Sequence, residues 1–124
     1  MKTKFYMHKK TKEVIINLSE TFDDENYIEL KANSVDASLE KHVPVYEKKG
    51  DKLIVHVGSE MHPMEEKHYI EFIEVHSPDN QYVKRKYLKA GEKPELELKP
   101  IYKNITMRAY CNVHGLWRGH YAEG

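Results

Sequence analysis

Apolar and polar residues alternate with a period of two through most of this chain, and this alternation constrains the fold more than any other feature. It predicts strands over residues 52–58, 69–76, 81–88, 95–99 and 105–111, the last of which ends at the cysteine. Helical periodicity is confined to a short stretch around residues 34–40. Strands at about ten-residue spacing with turns between them predict an antiparallel β-sandwich, with about seven strands in residues 43–117.

The N-terminal region has a different pattern. Residues 4–7 and 13–17 predict a small hairpin across 8–12, and residues 27–30 predict a third strand. A sheet this small has little core of its own. We therefore expect it to pack on the sandwich or on another subunit.

Charge and hydropathy narrow the class of protein. Lys+Arg and Asp+Glu are both 20 in 124 residues, so the net charge is zero and a nucleic-acid-binding surface is not favoured. The mean hydropathy is −0.78, and no apolar run approaches the ~20 residues of a membrane helix. The N-terminus lacks the apolar segment of a secretory signal. These features predict a cytoplasmic protein that does not bind a membrane.

The chain has eight histidines and one cysteine, so no intramolecular disulfide can form. His8, His56, His76 and His120 are interpreted as structural or surface residues. The other four histidines lie near predicted strand ends, as does the cysteine, where a sandwich can bring loops together at one pole. This second group is His42, His62, His68, Cys111 and His114.

These five residues offer four imidazoles and one thiolate. A structural zinc site needs only four ligands, whereas five N/S donors with an open sixth position suit iron. Cys111 as a buried free thiol is one alternative. A blue-copper centre is another, because C-x-x-H at 111–114 is similar to its ligand loop, but no Met follows His114.

Three segments together closely resemble the superoxide reductases of the neelaredoxin/desulfoferrodoxin family. They are Glu40-Lys-His-Val-Pro44, His62-Pro-Met-Glu-Glu-Lys-His-Tyr-Ile-Glu71 and Cys111-Asn-Val-His-Gly-Leu-Trp117. The resemblance covers residues 34–117. It implies an immunoglobulin-like β-sandwich with one mononuclear iron per chain, four histidine ligands in a plane and an axial Cys111.

The resemblance also implies an activity, the reduction of superoxide to hydrogen peroxide, with electrons from a small donor such as rubredoxin. Glu40 matches the glutamate that can take the sixth position in the ferric state, and Lys41 matches the lysine beside the open site. Alternatives that keep the same centre are a non-catalytic electron carrier and a redox sensor. Structural zinc is a third alternative.

Residues 1–36 are similar to the desulforedoxin-like module of two-iron relatives, but the module's four cysteines are absent. The resemblance therefore implies a metal-free module without a second Fe(Cys)4 site, followed by a catalytic domain at 37–124. As in relatives, such a module implies a homodimer interface.

Overall fold

The computed structural model describes residues 3–17, 22–34, 39–60, 62–99 and 102–122, with the backbone alone described at Leu39 and Glu40. These residues form ten β-strands and one short α-helix. The strands assemble into three sheets in which every pairing is antiparallel. The predicted all-β architecture is confirmed.

The N-terminal sheet has the predicted hairpin and third strand. β1 (Lys4–His8) lies between β2 (Val14–Asn17) and β3 (Tyr27–Leu30). The His8 Nδ1 closes the β1–β2 turn because it accepts the N–H groups of Lys10 and Thr11, each at 3.1 Å. The hairpin thus follows from its own local sequence.

This sheet packs on the sandwich, which was one of the two predicted arrangements. Phe5 of β1 is 1% exposed and Val14 of β2 is 7% exposed. Both belong to a hydrophobic cluster whose remaining buried members come from the sandwich: Phe72, Tyr110 and Leu116. Burial against the larger domain supplies the apolar contacts that three short strands lack.

The sandwich pairs a three-stranded sheet with a four-stranded sheet. The smaller sheet has the order β4-β5-β8, with β4 at Pro44–Lys49, β5 at Lys52–Val57 and β8 at Glu95–Leu98. The larger has the order β10-β9-β6-β7, with β6 at Ile70–His76, β7 at Val83–Tyr87, β9 at Asn104–Cys111 and β10 at Gly115–Ala122. This arrangement confirms the immunoglobulin-like sandwich.

The core between the two sheets follows from the period-two pattern. Ile105, Met107, Ala109 and Cys111 alternate along β9 and are each at most 1% exposed. They face the buried row of Leu53, Val55 and Val57 on β5. Cys111 therefore ends an inward-facing row, and its thiol lies at one pole of the core.

Two elements differ from the sequence prediction. The described helix α1 covers Leu39–His42, which overlaps the end of the predicted stretch at 34–40 and continues two residues beyond it, and residues 35–38 lie outside the described part. β9 is not the last strand, because β10 follows it and pairs with it along its whole length. In the described part of the chain, no helix has the length and apolarity needed to cross a bilayer.

Candidate metal centre

The four candidate ligand histidines and the cysteine meet at one pole of the sandwich. His42 ends α1 two residues before β4 begins, and His62 and His68 lie in the loop between β5 and β6. Cys111 and His114 flank the turn between β9 and β10. The candidate ligand atoms of His42, His62, His68 and Cys111 all lie within 4.8 Å of one another.

The imidazole rings form a closed ring of four. Adjacent ring centroids are 4.7 Å apart from His42 to His62, 4.8 Å from His62 to His68, 5.0 Å from His68 to His114 and 4.7 Å from His114 back to His42. The separation across the ring, from His42 to His68, is 6.4 Å. Nearly equal sides and a longer diagonal describe a roughly square arrangement.

His114 faces this ring through its Nδ1 atom. That nitrogen lies 3.0 Å from the Nε2 of His42 and 4.0 Å from the Sγ of Cys111. His114 thus adjoins the group of His42, His62, His68 and Cys111 without being part of its most compact set.

Two of the imidazole rings, those of His62 and His68, have a buried nitrogen that is available to a metal. The Nε2 atoms of His62 and His68 are buried and have no hydrogen-bond partner among the described residues. Burial lowers the pKa of His62 to about 4, against the opposing effect of the Pro63 carbonyl, so its ring is neutral at pH 7. Buried polar atoms are normally satisfied, and a neutral imidazole is the ligand form. The donor set therefore fits a transition metal.

The Cys111 sulfur is buried and receives main-chain hydrogen bonds. The N–H of His114 donates to Sγ at 3.4 Å. Burial raises the pKa of the thiol, and the N–H groups of His114 and Val113 oppose that effect. A bound cation would favour the thiolate, and the N–H donors would then modulate its basicity.

Asn112 and Trp117 have structural roles at the centre that the sequence did not reveal. The Asn112 side chain accepts the N–H of Tyr69 at 3.0 Å and donates to the Lys67 carbonyl at 3.1 Å, and so holds the loop on both sides of His68. The Trp117 indole donates to the His114 carbonyl at 3.0 Å and stacks on His42 at 4.9 Å. The sequence signal that could have pointed to Trp117 is that it is the only tryptophan in the chain and follows His114 by three residues.

The remaining predicted residues lie as follows. Lys41 is exposed on α1, directly before His42. Glu40 belongs to the same helix, but its side chain lies outside the described residues. His56 contacts Glu47 and Glu95 at 3.3 and 3.1 Å, and His76 is buried beside Glu74 at 2.8 Å. Neither histidine belongs to the candidate ligand group.

Comparisons with known proteins agree with this geometry. The family model described as desulfoferrodoxin matches residues 34–120. A desulfoferrodoxin homolog from Archaeoglobus fulgidus is 49% identical over 89 residues, which cover 72% of this chain and 70% of that protein. A superoxide reductase from Pyrococcus abyssi is 39% identical over 95 residues, with coverage of 63% and 83%.

The fold also matches a solved structure over nearly its whole length. The crystal structure of the superoxide reductase from Treponema pallidum superposes with a TM-score of 0.74 at 25% identity. The match covers 96% of this chain and 99% of the other. The N-terminal sheet and the sandwich therefore both have counterparts in one known protein.

Proposed function

Because this chain belongs to the desulfoferrodoxin family, we propose that it is a superoxide reductase with a mononuclear non-haem iron. The iron would be held by His42, His62, His68, His114 and Cys111. The observation that carries the proposal is the closed ring of four imidazoles beside the one thiol. Relatives in sequence and in structure that are named superoxide reductases support it.

In the proposed reaction superoxide takes up one electron and two protons and becomes hydrogen peroxide. The iron, when bound, supplies that electron by cycling between its ferrous and ferric states. A small one-electron donor of the rubredoxin kind would then return the electron. Five protein donors leave one of six octahedral positions open for a small ligand, whereas a structural zinc site would be closed by four.

The thiolate of Cys111 is proposed to tune the metal by electron donation. The thiolate would donate electron density to the iron, as it does in thiolate-ligated haem proteins. The N–H of His114 at 3.4 Å from Sγ withdraws part of that donation. Asn112 and Trp117 would keep the ring of imidazoles fixed during turnover, because each bonds to the backbone of a ligand loop.

Two residues of α1 complete the proposed site. Lys41 is exposed and adjoins His42 in sequence, so its charge would raise the local concentration of anionic superoxide. Glu40 is proposed as the carboxylate that replaces the product in the oxidised state. The net charge of zero makes a local cation more important than the field of the whole protein.

The proposal extends to the organisation of the chain. Residues 1–36 are proposed as a desulforedoxin-like module without its metal, and 37–124 as the catalytic domain. The sequence has no cysteine besides Cys111, so a second Fe(Cys)4 site is not proposed. We further propose a homodimer that works in the cytoplasm.

Metal analysis combined with superoxide kinetics tests the function. Protein expressed without oxygen should contain one iron per chain. With a reduced one-electron donor of the rubredoxin kind in excess, it should yield as much peroxide as the superoxide it consumes, since reduction, unlike dismutation, releases no dioxygen. Zinc alone would refute the iron centre. Iron without turnover on superoxide would refute the enzyme and favour an electron carrier or redox sensor.

A further inference from the structure

A cationic cleft lies where the N-terminal sheet meets the outer face of the sandwich. Its volume is about 390 Å³. Two cations come from the N-terminal side, Lys4 and Lys31, and two from β9 and β10, Arg108 and Arg118. The lining contains one carboxylate, Glu29, which lies 3.9 Å from the Lys4 Nζ. Positive charge is therefore in excess in this cleft.

Arg108 is the unusual residue of the cleft. It is only 8% exposed, although it lines the cleft, and its cross-strand neighbours are Glu74 on β6 and Arg118 on β10. The Glu74 carboxylate is already occupied by His76 at 2.8 Å and by Arg85 at 2.6 Å. Among the described residues, no carboxylate lies within ion-pair distance of the Arg108 guanidinium.

The surroundings of Arg108 offset its burial only in part. Its guanidinium carbon lies 4.9 Å from the Phe5 ring centroid, within range of a cation–π contact. Burial, reinforced by the charge of Arg118, lowers the pKa of Arg108 to about 10, so the side chain is still charged at pH 7. A buried charge is normally paired, and this one has guanidinium donors that no described side chain uses.

We propose that the cleft binds a small phosphate-class dianion, either free phosphate or a phosphate ester. Arg108 and Arg118 are paired in register on adjacent strands, so one wall of the cleft carries two guanidinium groups. Planar guanidinium groups bind phosphate oxygens through paired hydrogen bonds. Apolar side chains of Leu30, Ala32 and Leu116 leave space for the carbon part of an ester.

The site is separate from the metal centre and joins the two parts of the chain. None of the residues that line the cleft is a candidate metal ligand. Lys4 and Lys31 approach from the N-terminal side, and the two arginines approach from the sandwich. A bound dianion would therefore link the N-terminal sheet to the sandwich, and its binding should raise the midpoint of thermal unfolding.

Calorimetric titration of the iron-loaded protein with inorganic phosphate tests the proposal. The titration is run in a phosphate-free buffer, with sodium chloride at matched ionic strength as the control. We expect one phosphate per chain. The Arg108→Gln variant should bind roughly ten- to a hundred-fold more weakly, the range for a lost hydrogen bond to a charged group. Lys103→Gln, which removes an exposed charge outside the cleft, should bind like the wild type.

Arg118→Gln provides a second test, because this exposed residue can be replaced without disturbing the core. It too should weaken phosphate binding. Comparison of inorganic phosphate with glycerol phosphate distinguishes the two sources of the dianion. Tighter binding of glycerol phosphate indicates an ester ligand, and equal or weaker binding indicates free phosphate.

Two results would overturn the proposal. One is the absence of phosphate binding to the wild type. A second is equal binding by the wild type and both arginine variants, accompanied by a change in the optical spectrum of the iron, which would place the anion on the metal.

Discussion

At the scale of single residues, Cys111 has the most specific proposed role. Its sulfur is the one thiol among four imidazoles, and a thiolate bound to ferric iron produces a charge-transfer absorption band. We predict that Cys111→Ser loses this band in the oxidised protein, because an alcohol oxygen is a much poorer electron donor than a thiolate. The optical absorption spectrum of the iron-loaded, oxidised variant shows whether the band is lost.

The fold should survive this change, since Ser is close to Cys in size and the site is at the end of a strand. His120→Gln is the control, because His120 is an exposed residue on β10 outside the candidate ligand set. It should keep the band. A band that persists in Cys111→Ser with iron bound would show that the axial assignment is wrong.

Lys41 carries the second prediction at this scale. If Lys41 lies beside the open site, as proposed, its removal should slow the capture of superoxide, and we expect a loss of about ten-fold at low salt in Lys41→Ala. Since salt screens this attraction, the rate of the variant should depend less on ionic strength. Pulse radiolysis over a range of salt concentrations measures both effects.

Lys48→Ala is the matched control for Lys41→Ala, because it removes an equally exposed lysine from β4. It should leave the rate and its salt dependence unchanged. Equal rates for the wild type and Lys41→Ala would exclude Lys41 from the mechanism.

The sequence allowed the five candidate ligands to be named because each lies near a strand end, and strand ends share a pole in a sandwich. It did not reveal the contacts that hold them. The bonds of Asn112 to Lys67 and Tyr69 span more than 40 residues. They depend on the register of β6 against β9, where Ile70 pairs with Cys111. No local pattern encodes that register.

At the scale of secondary-structure elements, Gly119 determines how closely β10 approaches β4. A Cβ atom at this position would collide with the carbonyl oxygen of Pro44, which is a main-chain atom that cannot rotate away. Gly119→Ala should therefore displace β4 and lower the free energy of unfolding by about 3 kcal/mol, the upper part of the usual range for overpacking. Urea denaturation measures the loss.

The same displacement should reach the metal, because Pro44 follows His42 by only two residues. We expect Gly119→Ala to release iron to a chelator faster than the wild type. Gly50→Ala is the comparison, since its left-handed backbone is strained by a side chain but nothing lies within 4 Å of its Cβ. It should lose stability without faster iron release. Equal rates of iron release from both variants would show that Gly119 does not influence the metal centre.

Gly119 also explains why β10 was missed in the sequence. Glycines within a strand weaken the alternation signal, and β10 contains Gly115 and Gly119. The strands that were predicted, such as β6 and β9, have longer apolar and β-branched runs. The described part of helix α1 is four residues long, which is too short for periodicity to fix its position.

At the scale of the whole molecule, a buried polar network fastens the N-terminal sheet to the sandwich. Glu74 is 2% exposed and contacts His76 and Arg85. Arg85 continues the network because its Nη1 donates to the Val14 carbonyl of β2 at 2.9 Å. Asn80 extends it from His76, at 3.2 Å, to the Thr3 hydroxyl, at 2.8 Å. His76 was interpreted as a structural or surface residue, and it is a structural one.

This network makes the attachment of the N-terminal sheet depend on pH. Burial raises the pKa of Glu74, but the hydrogen bonds and charges of His76 and Arg85 outweigh it, and the net pKa is below its ordinary value of 4.5. A lowered pKa in the folded state means that the ionised carboxylate stabilises the fold. That contribution is complete above pH 4.5 and is lost as the pH falls through the lower, folded-state pKa.

We predict that Glu74→Gln lowers the free energy of unfolding by about 3 kcal/mol at pH 7, because it leaves Arg85 without its counter-charge. The difference from the wild type should shrink as the pH falls, since protonation gives wild-type Glu74 the same neutral state. Comparison at each pH cancels the loss of stability that both proteins share when metal ligands are protonated. Urea denaturation at pH 7 and at pH 4 or below measures the difference.

Glu97→Gln is the control because its partner, Lys52, lies 2.8 Å away on an exposed face where such pairs contribute little. It should change the stability by less than about 0.5 kcal/mol at any pH. Limited proteolysis shows which part of the chain is destabilised. At pH 7 Glu74→Gln should be cut first within the N-terminal sheet, while the sandwich stays intact. Cleavage spread evenly over the chain, or a stability difference that is constant with pH, would show that Glu74 does not fasten the two parts.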